Sequence, residues 1–458
     1  MSKREARTAE PSKSIWLNLP EDIFRQHLVN LQERTNAVPI APQNFTATEW
    51  LPTSLYTSET AHTLPLEVEQ HLADDFACLA AVEEGAQSVA AVCIEEHPEV
   101  PKLTLQLAAL DISLNDSVKS ALQEASVILA GAAIENTTCA SDSVDSLFQR
   151  VIQLHFRRLL ARLRSSKWKK PKYLSKSHKK PLWQDFKNLI HRAQFVYMKN
   201  EKAARQLVEK LLHELAAVYE GFEDVSGDEL TEMERVVKAS FEFWSTKAIQ
   251  DYFQRLETSV GSTLTAQVGA AIKTLRQTQK IAAYRRICIF LVKTARENPH
   301  LFKEGITMAY LEPYQSVPTT IGFEEWAKTC HVHAEIQLAV HYDLMSQQQE
   351  TVFLTPRAIG ISKSLCYLCY QFLRAHKRFF PSRTHGRLYD QWTVPDLTEF
   401  DDEIVERYRG ILKDVDEEVA RHTETEPELW RLEPMTSIDV YCNTSELSTY
   451  YEAQPRRP

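Results

Sequence analysis

Apolar positions along the chain fall into three regimes. From Ser14-Ile-Trp-Leu onward the spacing is helical, and Pro20-Glu-Asp opens a helix. The polar residues 1–13 are expected to be unstructured, and residues 36–66, rich in proline and threonine, read as irregular. Over 88–109 the period shortens. Val89-Ala-Ala-Val-Cys-Ile94 and Leu103-Thr-Leu-Gln-Leu107 are strand-like, and the segment between them carries Pro98 and Pro101, which predicts a β-hairpin. Helical spacing returns from about 112 to 300, with helices over 116–134, 144–163, 182–221, 228–258 and 262–296. In the last of these, Ile272, Leu275, Ile281, Ile287 and Leu291 fall on broadly one side. Lys167–Pro181 reads as a loop. From 351 the pattern changes again: Thr351–Leu354 and Ala358–Ile361 as strand, a helix from Ser364 to Phe379, strand and turn over Arg383–Pro395, a charged helix over 398–420, then an acidic tail of low order.

Composition narrows the class. With 43% hydrophobic and 25% charged residues in 458, the chain has the make-up of a folded protein with room for more than one core. Only 11 residues are glycine, which disfavours glycine-rich phosphate loops and many-turned all-β folds. No apolar run is long enough to span a membrane, and the charged start lacks the apolar stretch of a secretory signal, so an intracellular location, cytoplasmic or nuclear, with reduced thiols is expected.

The net charge of −9 conceals three blocks. Residues 1–150 hold 22 acidic and 9 basic residues, 151–395 hold 23 and 37, and 396–458 hold 17 and 7. The cations are densest from Arg157 to Arg192, where Asp185 is the one acid and Trp168, Tyr173, Trp183 and Phe186 are interleaved. Phosphate neutralisation plus base stacking is what a single-stranded nucleic acid requires, so Lys167, Trp168, Lys169, Lys170 and Lys172 are candidate nucleic-acid contacts. The competing readings are a solvated linker, an import signal, or a partner for the acidic flanks.

The informative constellation is His333-Ala-Glu335 followed by Cys366-Tyr-Leu-Cys369. A CxxC at a helix start sets both sulfurs on one face, where the macrodipole favours thiolates; Ser362 or Ser364 would cap that helix. Two thiolates and an imidazole hold zinc (Zn2+) with a fourth position open, the mark of a catalytic site. Glu335 reaches the same place only if the pair lies at a helix start, and it would then move protons without binding metal. Together, in this order, the motifs match the zinc deaminase signature.

His333-Ala-Glu-Ile-Gln-Leu338, Ile359–Cys369 and Thr384-His-Gly-Arg-Leu-Tyr-Asp-Gln-Trp392 with Pro395 resemble the cytidine-deaminase-like superfamily, and more closely its branch expanded in fungi and related to predicted bacterial toxin deaminases. The resemblance implies an α/β deaminase core, a mixed sheet flanked by zinc-binding helices. It implies zinc ligands His333, Cys366 and Cys369 and proton shuttle Glu335. Two positions depart from the superfamily: Leu365 stands where proline usually precedes the first cysteine, and Leu110 where an asparagine often contacts ribose. Ile306–Leu311 is strand-like without a clear partner, so the hairpin at 88–110 is the candidate first hairpin of the core.

The expected organisation is therefore an N-terminal region (1–87), the hairpin (88–110), a large helical insertion (111–320), the zinc core (321–395) and an acidic helix and tail (396–458). Around the core, His385, Trp392, Arg374 and Lys377 are candidate substrate contacts, whereas Cys330, His331 and His341 read as packing residues. The leading reading is a zinc-dependent hydrolytic deaminase of a cytosine or adenine base in a nucleotide or single-stranded nucleic acid. Its rivals are a zinc-stabilised helical interaction protein with a degenerate site, and a non-catalytic nucleic-acid-binding protein.

Overall fold

The computed structural model describes residues 3–52, 61–83, 89–110, 114–134, 140–169, 180–258, 265–347 and 352–427. In chain order it begins with α1 (Glu21–Thr35), β1 (Gln43–Asn44), the single turn α2 (Ala47–Trp50) and α3 (Leu66–Ala80), then β2 (Ala90–His97), β3 (Lys102–Ala109) and α4 (Asp116–Ile134). Six helices follow: α5 (Ala140–Leu163), α6 (Phe186–Val196), α7 (Lys202–Asp224), α8 (Glu229–Ser245), α9 (Lys247–Thr258) and α10 (Ala266–Glu297). After the turn α11 (Pro299–Phe302) come β4 (Thr307–Tyr310), β5 (Val317–Pro318), β6 (Thr329–Val332), α12 (Ala334–Gln347), β7 (Gly360–Ile361), α13 (Tyr367–His376), β8 (Arg383–Thr384), β9 (Trp392–Thr393) and α14 (Asp402–Glu424). The architecture is mixed α/β, mostly helical, with small sheets.

Two compact units result. The first combines residues 1–81, 85–133 and 298–437; the second is centred on 134–297. The helical stretch set apart by packing thus runs from 134 to 297 rather than from 111 to 320, because α4 and β4 pack with the sheet: Ser126 on α4 accepts from the Ile306 N–H at 2.7 Å.

In the first unit the sheet order is β4-β3-β2-β7. The hairpin pairs over its full length, Ala90 opposite Ala109 to His97 opposite Lys102. Both strands are buried almost throughout; Ala90–Ile94 of β2 reads as a continuous apolar run, whereas Leu103–Leu107 of β3 alternates although Thr104 and Gln106 are buried too. Ile306–Leu311, which lacked a partner in sequence, supplies β4, parallel to β3. β2 pairs on its other side with β7, the strand leading into the CxxC helix. The hairpin is also bound to α12: Gln337 Nε2 donates to Ala109 O at 2.8 Å and Val332 O at 3.0 Å, and Tyr342 OH donates to Glu95 at 2.9 Å.

Helix α3 does the work of a neighbouring strand for the 357–361 segment. Glu69 accepts the Arg357 and Ala358 N–H groups, Asp74 accepts that of Ile361 at 2.7 Å, and Gln70 donates to Ile359 O. The approach is so close that a Cβ on Gly360 would lie 2.0 Å from the Ala73 carbonyl carbon. Glu69 and Arg357 are both buried, paired at 2.8 Å. Glu69→Ala leaves that guanidinium without its partner and is expected to cost about 3–5 kcal/mol, measurable by urea unfolding.

Residues 3–13, within the 1–13 stretch expected to be unstructured, are tied into this unit together with Ser14 and Ile15. Arg4 and Arg7 bridge to Tyr314 and Asp396, and Asp396 accepts from Ser14 Oγ and the Ile15 N–H. Glu21 binds Arg7, Arg25 and the Thr393 hydroxyl. The C-terminal helix α14 packs on α1 and α13, its apolar stripe from Ile404 to Val419 buried.

In the second unit α10 is central, packed by α5, α6, α8 and α9. It is buried on nearly every side between Ala271 and Ala295, so the one-sided stripe read from sequence is a minority of its contact surface. The expected helix 182–221 breaks near Tyr197–Glu201, where the Glu201 carboxylate accepts the Met198 N–H and binds Arg255. Among the described residues no helix is long and apolar enough to cross a membrane.

Candidate active site

Two helix N-termini converge in the first unit. His333 follows β6 and its carbonyl closes the first turn of α12, accepting the Gln337 N–H at 3.0 Å. Cys366 is itself the N-cap of α13: its sulfur accepts the Cys369 N–H at 3.3 Å, a role expected of Ser362 or Ser364. Both macrodipoles therefore present their positive ends to one place.

His333 Nδ1 lies 3.6 Å from Cys366 Sγ and 3.4 Å from Cys369 Sγ. Sulfur at about 2.3 Å and nitrogen at about 2.0 Å from a tetrahedral zinc stand about 3.5 Å apart, so the three donors have the spacing of a zinc site. They form a group able to hold a metal ion. Burial would raise the Cys366 thiol; the Cys369 thiol, the His333 imidazole and the Cys369 N–H outweigh it and hold Cys366 well below the usual thiol range. Cys369 is pushed up by burial and by Cys366, a repulsion that a cation between them removes. The Trp392 indole N–H favours the Cys369 thiolate. The donor set thus fits zinc. Purified protein is expected to carry about one zinc per chain, and Cys366→Ala almost none, by elemental mass spectrometry.

Glu335 occupies the second position of α12, on the helix start as the chemistry requires. It is buried, and its Oε2 has no hydrogen-bond partner among the described residues. Desolvation raises its pKa, opposed by His333. A cavity of about 300 Å³ opens over His333, Glu335 and Cys366. Val89 and Leu110, at the open end of the hairpin, and Ala334 form its apolar wall. Leu110 thus lies at the cavity, with an apolar side chain where the superfamily often has asparagine.

His385 lines this cavity, 4% exposed. Its Nδ1 accepts the Arg387 N–H at 3.0 Å, and burial with the Arg387, Lys363 and Arg383 charges pushes its pKa down to about 3, so the imidazole is neutral.

The other expected substrate contacts lie elsewhere. Arg374 and Lys377 sit at the opposite end of α13, eight or more residues beyond Cys366 and so about 12 Å or more along the axis. Arg374 bonds Tyr370 OH, and Lys377 is the left-handed C-cap. Trp392 is fully buried between Phe24 and Phe372 and cannot stack on a substrate. In the helical unit, Lys167 Nζ donates to Val225 O and pairs with Glu229 at 3.1 Å; Trp168 is half-buried and Lys169 exposed. Lys170 and Lys172 lie outside the described residues.

The cavity also contains residues not expected there: Ser364, read only as a possible helix cap, and Lys363, Tyr389, Gln391 and the exposed Trp326. Lys363 and Ser364 were within reach, immediately before the CxxC. Trp326 was not, since the loop between β5 and β6 carries no motif. His331, read as packing, is half-buried at the cavity wall.

Residues 332–396 match the sequence model of a family described as OTT_1508-like deaminase. That stretch of the chain is deaminase-like. It contains the His333, Cys366 and Cys369 group together with Glu335 and His385. No curated protein and no solved structure matches the chain significantly.

Proposed function

We propose that the protein is a zinc-dependent hydrolytic deaminase of a cytosine or adenine base, carried in a nucleotide or single-stranded nucleic acid. The observation that carries this reading is the buried Glu335 carboxylate, its Oε2 without a hydrogen-bond partner among the described residues, at the cavity lined by His333 and Cys366, with Cys369 completing the group of three donors. Zinc held by His333, Cys366 and Cys369 supplies Lewis acidity that activates water at neutral pH.

The chain's own residues do the rest. Glu335 Oε2 takes one proton from the attacking water and gives it to the ring nitrogen, then takes the second from the new hydroxyl on the attacked carbon and gives it to the amine, which leaves as ammonia. Val89, Leu110 and Ala334 offer a flat base an apolar surface and shed its water. Loss of ammonia leaves a carbonyl. The test is mass spectrometry of bases after incubation with pooled nucleotides and with single-stranded DNA and RNA. An amine-to-carbonyl change that depends on Glu335 supports the proposal. Bound zinc with no turnover on any of these would overturn it in favour of a metal-stabilised interaction protein.

A further inference from the structure

The cavity holds a hydrogen-bond donor that the proton chemistry does not use. His385 accepts a backbone N–H at Nδ1, so its proton is on Nε2, and Nε2 has no hydrogen-bond partner among the described residues. The side chain is more than nine-tenths buried and lines the cavity that contains Glu335 and Cys366. A neutral donor in such a place suits a neutral carbonyl rather than a phosphate.

Its placement depends on Leu365. The Leu365 N–H donates to Arg383 O at 3.0 Å. The Leu365 carbonyl accepts the His385 N–H at 3.1 Å and the Thr384 hydroxyl at 2.8 Å. The turn is then closed by Gly386, in the left-handed region at φ +70, where a Cβ would lie 2.1 Å from Ile40 O. Proline at 365 would have no N–H for the first of these bonds.

We propose that His385 is the specificity-determining residue of the cavity, donating from Nε2 to a ring carbonyl of the substrate base, and that the Leu365 peptide positions it there. This rests on the deaminase reading above and makes it more specific. Cytosine has a carbonyl beside the ring nitrogen that receives the proton; adenine has a C–H in the corresponding place. A site built around that hydrogen bond takes cytosine and leaves its donor unpaired against adenine.

The experiment compares wild type, His385→Ala, His385→Gln, Leu365→Pro and Leu365→Ala on matched cytosine and adenine substrates, with zinc content and thermal unfolding measured alongside. Wild type is expected to prefer cytosine by about 10²-fold or more. His385→Ala should lose most of that preference through a lower kcat/KM on cytosine, with zinc retained. His385→Gln, which keeps a neutral donor, should recover part of it and carries the test if the alanine variant folds poorly. Leu365→Pro should mimic His385→Ala and add little in its background, whereas Leu365→Ala, which keeps the N–H, should resemble wild type. Glu335-dependent turnover that favours adenine, or a His385→Ala loss equal for both bases, overturns this inference and leaves the deaminase standing. No turnover of either base overturns both.

Discussion

Glu335→Ala is expected to lower deaminase turnover by about 10²–10⁴-fold while leaving the bound zinc in place. The carboxylate lies within the cavity but outside the group of three that can hold metal, so its removal takes away a proton carrier and no ligand. Its burial limits the water that could substitute for it, and among the described residues its Oε2 has no hydrogen-bond partner. Glu335→Gln should be nearly as inactive, since the amide keeps the shape and loses the basicity. Cys366→Ala should instead lose zinc and activity together. Elemental analysis beside single-turnover rates separates the two cases. Activity near wild type in zinc-loaded Glu335→Ala would sink the proposed chemistry.

Asp343→Ala is expected to destabilise the first unit by about 3–5 kcal/mol. Asp343 is fully buried on α12 and accepts from His376 at 2.9 Å, Arg378 at 3.1 Å, Arg407 at 2.9 Å and Tyr408 OH at 2.6 Å. It thereby joins α12, α13 and α14, and alanine would leave two guanidinium groups, an imidazole and a hydroxyl facing a void. Burial alone would raise this carboxyl; His376, Arg407 and the Tyr408 hydroxyl outweigh it and hold the pKa below the ordinary value. A carboxylate with a depressed folded pKa contributes stability that is complete above its unfolded value of about 3.9 and is lost as pH falls through the folded pKa. Thermal unfolding of wild type should therefore show a steep loss below about pH 4, and Asp343→Asn should flatten that limb while lowering the plateau. An unchanged acid limb would mean that the cluster contributes nothing across that range.

The candidate site was legible in sequence because its chemistry demands particular atoms at particular spacings, whatever surrounds them. His333, Glu335, Cys366 and Cys369 could be picked out without knowing the fold. The hairpin was legible because an apolar run, Val89–Ile94, and a period-two alternation, Leu103–Leu107, flank a segment with two prolines. The partners of β4 and β7 were not. A two-residue strand such as Gly360–Ile361 has no periodicity, and its neighbours are set by pairings more than 200 residues away. Nor did the sequence show that Glu69, Gln70 and Asp74 face a backbone, since polar residues on a helix ordinarily read as its solvated side. Arg374 and Lys377 looked like a substrate rim because sequence proximity to Cys369 was taken for spatial proximity, whereas a helix carries them to its far end. Trp392 and Lys167 read as recognition residues by type alone, yet one is packing and the other has internal partners.

The split sheet has a consequence for how the chain is made. β3 pairs with residues about 200 positions later, and β2 with residues about 270 later. At roughly 5–20 residues per second of synthesis, the hairpin leaves the ribosome roughly 10–40 s before β4 can join it, longer still before β7. Through that interval it is a two-stranded ribbon, unpaired along both edges and with Val92, Ile94, Leu103, Leu105 and Leu107 uncovered on one face, a state open to pairing with another chain. The helices of 134–297 are synthesised meanwhile and have a core of their own. His333, Cys366 and Cys369 come later still, so a metal held by them would be acquired only after the hairpin and the helices of 134–297 have been made.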